Sequence, residues 1–545
     1  MTISQVQVVE TDTFSAMNVI KYIDRLNAHK SAGADKIHPQ VIKKCRQVFA
    51  TILSPIFQES FKCGVVPFSW KEANITPIFK KGQRPSPANY RPVSLTAVPC
   101  KIMERMLRDV MLKHLMANNL VVPEQHGFVL SKSCVTNLLE TVDTISHSID
   151  KGNIVILILL DFAKAFDKVC HSSLIVKLET YGFDNSIINW VRDFLTNRKQ
   201  RVVIGDNSSD WKLVTSGVPQ GSVLAPLLFV IFINDMPKVV NHIIKLFADD
   251  SKLIGIIKNQ DDVNLLQMDL DNLVKWANDW RMMFHPDKCK AMSFDRSKKG
   301  NSFDTTLSME TSIQGTRHIL ESSVVERDLG ILITPNLKFE AHAEHAAAKA
   351  SSVMGQLKRT FNYWTKHTFK ILFSTYVRPH LEYAATVWSP YRKKDISTIE
   401  KIQRRATKTV PELRNLSYHD RLIELNLTTL EERRLRGDLI QFFKWYTGSN
   451  IINLQNNPKR AAALTRSGPA SGLRMKPHCF SRQDISTCAL RENFFTHRTI
   501  PIWNSLPVNV VASKSINMFK IRLDKHLSIQ RSTTNEVFRL GSICY

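Results

Sequence analysis

The alternation of apolar and polar positions changes period several times along the chain. Phe14, Met17, Ile20, Ile23 and Leu26 recur at helical spacing and predict a helix over Thr13 to Ala28, which Ser31-Ala32-Gly33-Ala34-Asp35 then breaks. From Trp70 to Pro99 the runs are short and strand-like, punctuated by Pro77, Pro85, Pro87 and Pro92. Helical patterns follow over Lys101 to Leu115 and Ser133 to Ser148. Asn153 to Phe162 reads as a strand buried on both faces, because its centre is an unbroken Ile, Val and Leu run. A helix is expected over His171 to Tyr181, and a hairpin over 241–257, where two apolar runs meet at an acidic turn. Asp295 to Gln314 is polar and reads as a loop or insertion. Residues 340–445 look helical and basic, Pro458 to Pro477 reads as a linker, and an apolar module spans Ile500 to Leu527 before a loose tail. No internal repeat is visible.

Composition narrows the class. At 545 residues the chain exceeds one compact core, so several packed subdomains are expected. The balance of 74 Lys+Arg against 49 Asp+Glu leaves +25, which favours a polyanionic partner, nucleic acid before phospholipid. Nine cysteines are scattered without a C-x-x-C pair, which argues against a disulfide framework and for a reducing compartment. The spacing of His478, Cys479, Cys488 and His497 matches no common zinc pattern. No signal peptide is visible in the opening residues, and the longest apolar run, Ile154 to Leu160, falls far short of the ~20 residues of a membrane helix.

The chemistry concentrates in three segments. In Leu159-Leu160-Asp161-Phe162 a carboxylate ends a buried strand, and in Phe247-Ala248-Asp249-Asp250 two more sit where a second apolar strand turns. If the three converge they repel strongly, about 4 kcal/mol for each pair 4 Å apart at an effective dielectric of 20. Such a site requires cations or raised carboxyl pKa values. Oxygen-only ligands select a hard ion, and two Mg2+, with Mn2+ as a substitute, suit phosphate chemistry. The third segment, Ser216-Gly217-Val218-Pro219-Gln220-Gly221, lets backbone approach a ligand before a helix begins near Val223.

In order and spacing these segments resemble the palm motifs of reverse transcriptases, and in finer wording those of non-LTR (LINE-type) retrotransposons of the jockey-like group. The resemblance implies an α+β, right-hand polymerase fold of fingers, palm and thumb with a helical C-terminal region. It makes Asp161, Asp249 and Asp250 the catalytic aspartates and, with Phe162, the metal site. Phe166 falls where the family places its steric gate against a ribose 2′-hydroxyl, and Gln220 where a residue lies against the incoming nucleotide. Asn89-Tyr90-Arg91-Pro92-Val93-Ser94-Leu95 resembles the fingers motif, with Arg91 on substrate phosphate, and Lys80 and Lys81 as looser candidates. Gln125-His126-Gly127-Phe128 resembles a segment near the template path. Trp276 to Phe294 resembles the next palm motif, with Lys288 assisting pyrophosphate departure. His285 and Ala225 depart from the family's usual Asn and Gly. Leu329-Gly330-Ile331 resembles the primer-gripping hairpin. The segments Tyr376 to Ala384, Val387 to Tyr391, Ile402 to Ala406 and Arg498 to Pro507 resemble the downstream helical and C-terminal regions.

The implied layout is an N-terminal lead at 1–30, fingers at 31–150, palm at 151–294 and a loop with the primer grip at 295–339. A basic helical thumb follows at 340–447, then a linker at 448–477, a small module at 478–530 and a tail at 531–545. Lys358, Arg359, Arg404 and Arg405 would track the template–primer backbone, each being equally readable as a solvated helix face. The implied partners are an RNA template, a DNA primer and dNTPs, with no membrane, in the nucleus or cytoplasm. Compared with a complete element protein, an endonuclease ahead of the polymerase and an RNase H after it are not seen, so a fragment, a truncated copy or a protein that borrows its nicking activity is expected. Two other readings stay open: a non-catalytic RNA-binding remnant, and an RNA-dependent RNA polymerase with the same paired aspartates.

Overall fold

The computed structural model describes residues 12–296, 304–310, 316–460, 478–481 and 488–541, with side chains to 529. Helix α1 (Ala16–Asp24) covers the middle of the first helical pattern, with Val19 and Ile23 buried. It packs on α2 (Arg46–Cys63), which closes on Gly64 at φ +65°, a left-handed terminus suited to glycine. The proline-punctuated stretch forms β1 (Glu72–Phe79) and β2 (Tyr90–Leu95), paired antiparallel. Helices α3 (Val98–Ala117) and α4 (Cys134–Asp150) follow where the periodicity puts them; Ser133 caps α4 through a reciprocal pair with Thr136.

The central sheet explains the continuous apolar run. β3 (Ile154–Leu160) lies inside it, while β4 (Arg198–Ile204) and β5 (Lys212–Val214) extend the β1–β2 sheet instead. After α5 (Ala225–Ile233) come β6 (Ile243–Phe247) and β7 (Asp250–Ile257), the expected hairpin, then α6 (Gln260–Asp279) and β8 (Lys290–Phe294). With β9 (Glu321–Ser322) the order is β9-β8-β3-β7-β6. β3 is antiparallel to both neighbours, so its side chains alternate between two cores. Ile154, Ile156, Ile158 and Leu160 enter the core shared with α3, α5 and α6. Val155 and Leu157 enter a second core shared with α4 and the helical C-terminal half. A strand sandwiched in this way has no polar face to show.

Past the hairpin β10 (Glu326–Asp328)–β11 (Ile331–Ile333), the chain is helical, with α7 (Glu340–Thr360), α8 (Lys393–Thr407) and α9 (Leu430–Tyr446) in succession and one π-turn at Phe373–Val377. Helix α10 (Phe495–Ser505) and α11 (Ile516–Gly541) complete the described chain. Trp503 and Phe519 share the core of Leu138 and Leu139, and Arg491 makes a buried ion pair with Asp143 of α4. The C-terminal residues thus rest on the same core as the central sheet.

Two expectations change. Part of the stretch read as loop, Ser308–Glu310, pairs as a strand with Arg317–Ile319; 297–303 and 311–315 lie outside the described residues. The tail read as loose instead continues α11 to Gly541, since no proline or glycine interrupts 516–540. Most of the linker, 461–477, lies outside the described residues.

Candidate active site

Strand register brings the acidic segments together. Leu160 pairs with Ser251 across β3 and β7, so Asp161 and Asp250, one step beyond each, leave the sheet at the same edge. Phe247 pairs with Asp250 to close the β6–β7 hairpin, and Asp249 lies inside its turn. The crowding is felt in the carboxyl groups. Desolvation raises Asp249, and Asp161 adds to it, while Arg91 and Lys80 pull the other way. Asp250 keeps solvent contact, yet the surrounding chain withdraws much of its water. That desolvation, followed by Asp249, Asp328 and Asp161, pushes its carboxyl up to about 6.

Asp161 has found a cation in the protein. Lys288 Nζ lies 3.3 Å from Asp161 Oδ2. The pairing follows from local backbone: His285 N donates to Asp161 O at 2.8 Å and Ala163 N to Met283 O at 2.8 Å, so the chain just past β3 is zipped to the segment carrying Lys288. Phe162 is buried against Phe284, with ring centroids 4.4 Å apart, so only its main-chain oxygen could serve an ion.

Among the described residues, no group of three or more His, Cys, Asp or Glu is arranged to hold an ion as the side chains stand. The donor set nevertheless fits a hard divalent cation: three carboxylates at one sheet edge, two of them raised by burial and by like charge. A cation bound there would relieve that repulsion.

Around this corner stand the other candidates. Phe166 is half-buried and stacks on Phe229 of α5, centroids 4.6 Å apart, which supplies both a core contact and a rigid ring. Gln220 is held twice: its Nε2 donates to Asp167 Oδ1 at 3.0 Å, and its O accepts from Ser94 N at 2.6 Å. A Cβ at Gly217 would lie 2.7 Å from the Asp167 backbone, so glycine is needed where this loop crosses. Gln220, Asp167, Pro92 and Lys164 line a cleft of ≈ 380 Å³. Arg91 is exposed on β2, and its charge reaches Asp249. Lys358 and Arg359 end α7, and Arg404 and Arg405 lie on the helix packed against it. All four are exposed, and Arg404 sits over the Tyr418 ring at 4.8 Å.

Sequence reasoning passed over two supports. Asp167 was given no role along the chain, and its contact with Gln220 joins residues 53 apart. Lys252, two residues past Asp250, is wholly buried in an ion pair with Asp328 of β10. A lysine inside an apolar strand was the available signal, since such a charge requires a partner.

Residues 78–341 match the family model described as reverse transcriptase (RNA-dependent DNA polymerase). The chain is 26% identical over 436 residues to a probable RNA-directed DNA polymerase from transposon BS of Drosophila melanogaster, covering 76% of this chain and 46% of that one. It is 29% identical over 282 residues to the RNA-directed DNA polymerase from mobile element jockey of the same species, covering 50% and 31%. A Pol polyprotein from the retrotransposable element R2 of Popillia japonica shares 30% over 167 residues, covering 30% and 23%. The chain spans less than half the length of these relatives. No helix among the described residues is long and apolar enough to cross a membrane. Residues 78–341 belong to the reverse transcriptase family, in a chain similar to jockey-like transposon proteins.

Proposed function

We propose that this chain is an RNA-directed DNA polymerase, extending a DNA primer on an RNA template with dNTPs by two-metal nucleotidyl transfer. The observation that carries it is the meeting of Asp161 with the Asp249–Asp250 turn at one sheet edge, inside a segment that matches the reverse transcriptase family. The reading divides the molecule as a right hand, with fingers at 31–150, palm at 151–294, a primer grip within 295–339, a thumb at 340–447 and a C-terminal module at 478–530. Asp161, Asp249 and Asp250, with the Phe162 main chain, would hold two Mg2+ ions. Held by these residues, such ions would supply the charge that activates a primer 3′-hydroxyl and offsets charge on a departing pyrophosphate.

The remaining roles belong to side chains. Arg91, exposed on β2 and near enough for its charge to act on Asp249, would grip triphosphate oxygens in pairs. Phe166, braced on Phe229, crowds a 2′-hydroxyl and so selects deoxynucleotides. Gln220, held by Asp167 and Ser94, presents a fixed amide to the nucleotide. Lys288 can donate a proton or positive charge beside Asp161, where pyrophosphate leaves. Lys358, Arg359, Arg404 and Arg405 would follow the nucleic-acid backbone; their exposure and the net charge of +25 support this role.

The test is primer extension on an RNA template with Mg2+. Extension by the parent chain, lost in Asp249→Ala with RNA binding kept, supports the enzyme. RNA binding without extension in the parent leaves a non-catalytic remnant of such an element.

A further inference from the structure

The turn that carries Asp249 is held from outside its own hairpin. Glu124 to Gly127 runs beside β6 as a short parallel bridge. Leu246 N donates to Glu124 O at 3.0 Å, and His126 N donates to Leu246 O at 2.9 Å. Between these bonds Gln125 turns its side chain inward and is fully buried. Its Oε1 accepts two main-chain N–H groups, from Gly127 at 2.7 Å and from Ala248 at 3.1 Å.

Ala248, immediately before Asp249, has φ +54°. A side chain in that left-handed region is disfavoured, and a non-glycine residue stays there only where its surroundings over-determine it. Gln125 supplies that constraint. Gly127 permits it, because a Cβ there would stand 2.5 Å from Ala248 N. The Nε2 of Gln125 meets no acceptor among the described residues, so the contribution of this side chain lies in its oxygen.

We propose that Gln125 is a positioning residue whose side-chain oxygen clamps the Ala248 turn and thereby aims Asp249 and Asp250 toward Asp161. The inference rests on the copying function proposed above only for its consequence in catalysis; its direct consequence is cation affinity at the aspartates. Gln125 touches neither substrate nor ion and acts through main chain. Partners that orient ligating carboxylates in this way are commonly worth 10–100-fold in metal affinity.

Three variants test it: Gln125→Met, which keeps volume and removes the acceptor; Gln125→Glu, which keeps an acceptor oxygen whether protonated or not; and Gln125→Met combined with Ala248→Gly. Mn2+ binding is read by electron paramagnetic resonance on the protein–template–primer complex, alongside extension rate, template–primer affinity and thermal midpoint. Q125M is expected to bind Mn2+ about 10-fold or more weakly and to lose extension rate with template–primer affinity kept. Q125E is expected to stay nearer the parent. Ala248→Gly, which lets the backbone adopt the turn without a clamp, is expected to restore part of the Mn2+ affinity to Q125M. Parent-like Mn2+ binding by Q125M overturns the inference. So does a proportional loss of every affinity that Ala248→Gly does not recover, which marks a merely structural glutamine. A parent that binds Mn2+ yet extends no primer defeats the copying function alone, and the Mn2+ comparison still decides Gln125. A parent that binds no Mn2+ defeats both.

Discussion

Lys288 and Asp161 form an ion pair, Nζ to Oδ2 at 3.3 Å, at the edge where the three aspartates gather. The lysine therefore competes for a carboxylate that a divalent ion would need. Lys288→Met is expected to lower the Mg2+ concentration for half-maximal extension while reducing kcat about 10²-fold through loss of proton or charge donation. Extension rates across a Mg2+ series at saturating dNTP check this. An unchanged Mg2+ requirement would count against competition.

Phe166 stacks on Phe229, so its ring is held from behind. On the gate role proposed above, Phe166→Ala would open space beside the sugar, and ribonucleotide incorporation should rise at least about 10-fold relative to deoxynucleotide, roughly the 1.4 kcal/mol of one lost steric contact. Single-nucleotide incorporation with paired rNTP and dNTP reads the ratio. Unchanged sugar preference would leave Phe166 a core residue only.

Lys252 and Asp328 are a buried pair, 3% and 4% exposed at their side chains, that ties the β10–β11 hairpin to the strand of Asp250. Asp328→Ala strands an ammonium in the core and should cost about 3–5 kcal/mol. Replacing both, Lys252→Met with Asp328→Leu, should cost much less. Urea midpoints of the three proteins measure the difference. Equal losses in the single and double variants would refute the pairing argument.

His342 is buried against Trp388, and its Nδ1 accepts from Leu332 N at 3.2 Å. Burial, with His345 and Arg327 nearby, drives its pKa down to about 4. The fold thus keeps the ring neutral while the unfolded chain takes up a proton below about 6.5. Its contribution is full above that pH and is lost progressively as pH falls toward 4, up to ~3 kcal/mol. His342→Gln should flatten this part of the stability–pH curve between pH 7 and 4, as thermal midpoints would record.

Much of this molecule could be read along the chain. The unbroken Ile154–Leu160 run made β3 a doubly covered strand, and it is one, because only a strand packed on both faces tolerates that composition. The hairpin at 243–257 was equally plain, since apolar runs joined by Ala248-Asp249-Asp250 leave the carboxylates only the turn. The end of α11 was misread, because a polar tail and a polar helix differ in propensity rather than in pattern.

What the sequence settled by itself was therefore the local period, the strand ends where acidic residues fall, and the motifs in their order. Tertiary structure decided which distant groups meet: Lys288 with Asp161, Asp328 with Lys252, Asp167 with Gln220, and Gln125 with Ala248. Those pairings depend on sheet register and on close backbone approach, which are set by many weak contacts at once. No single stretch of residues encodes them.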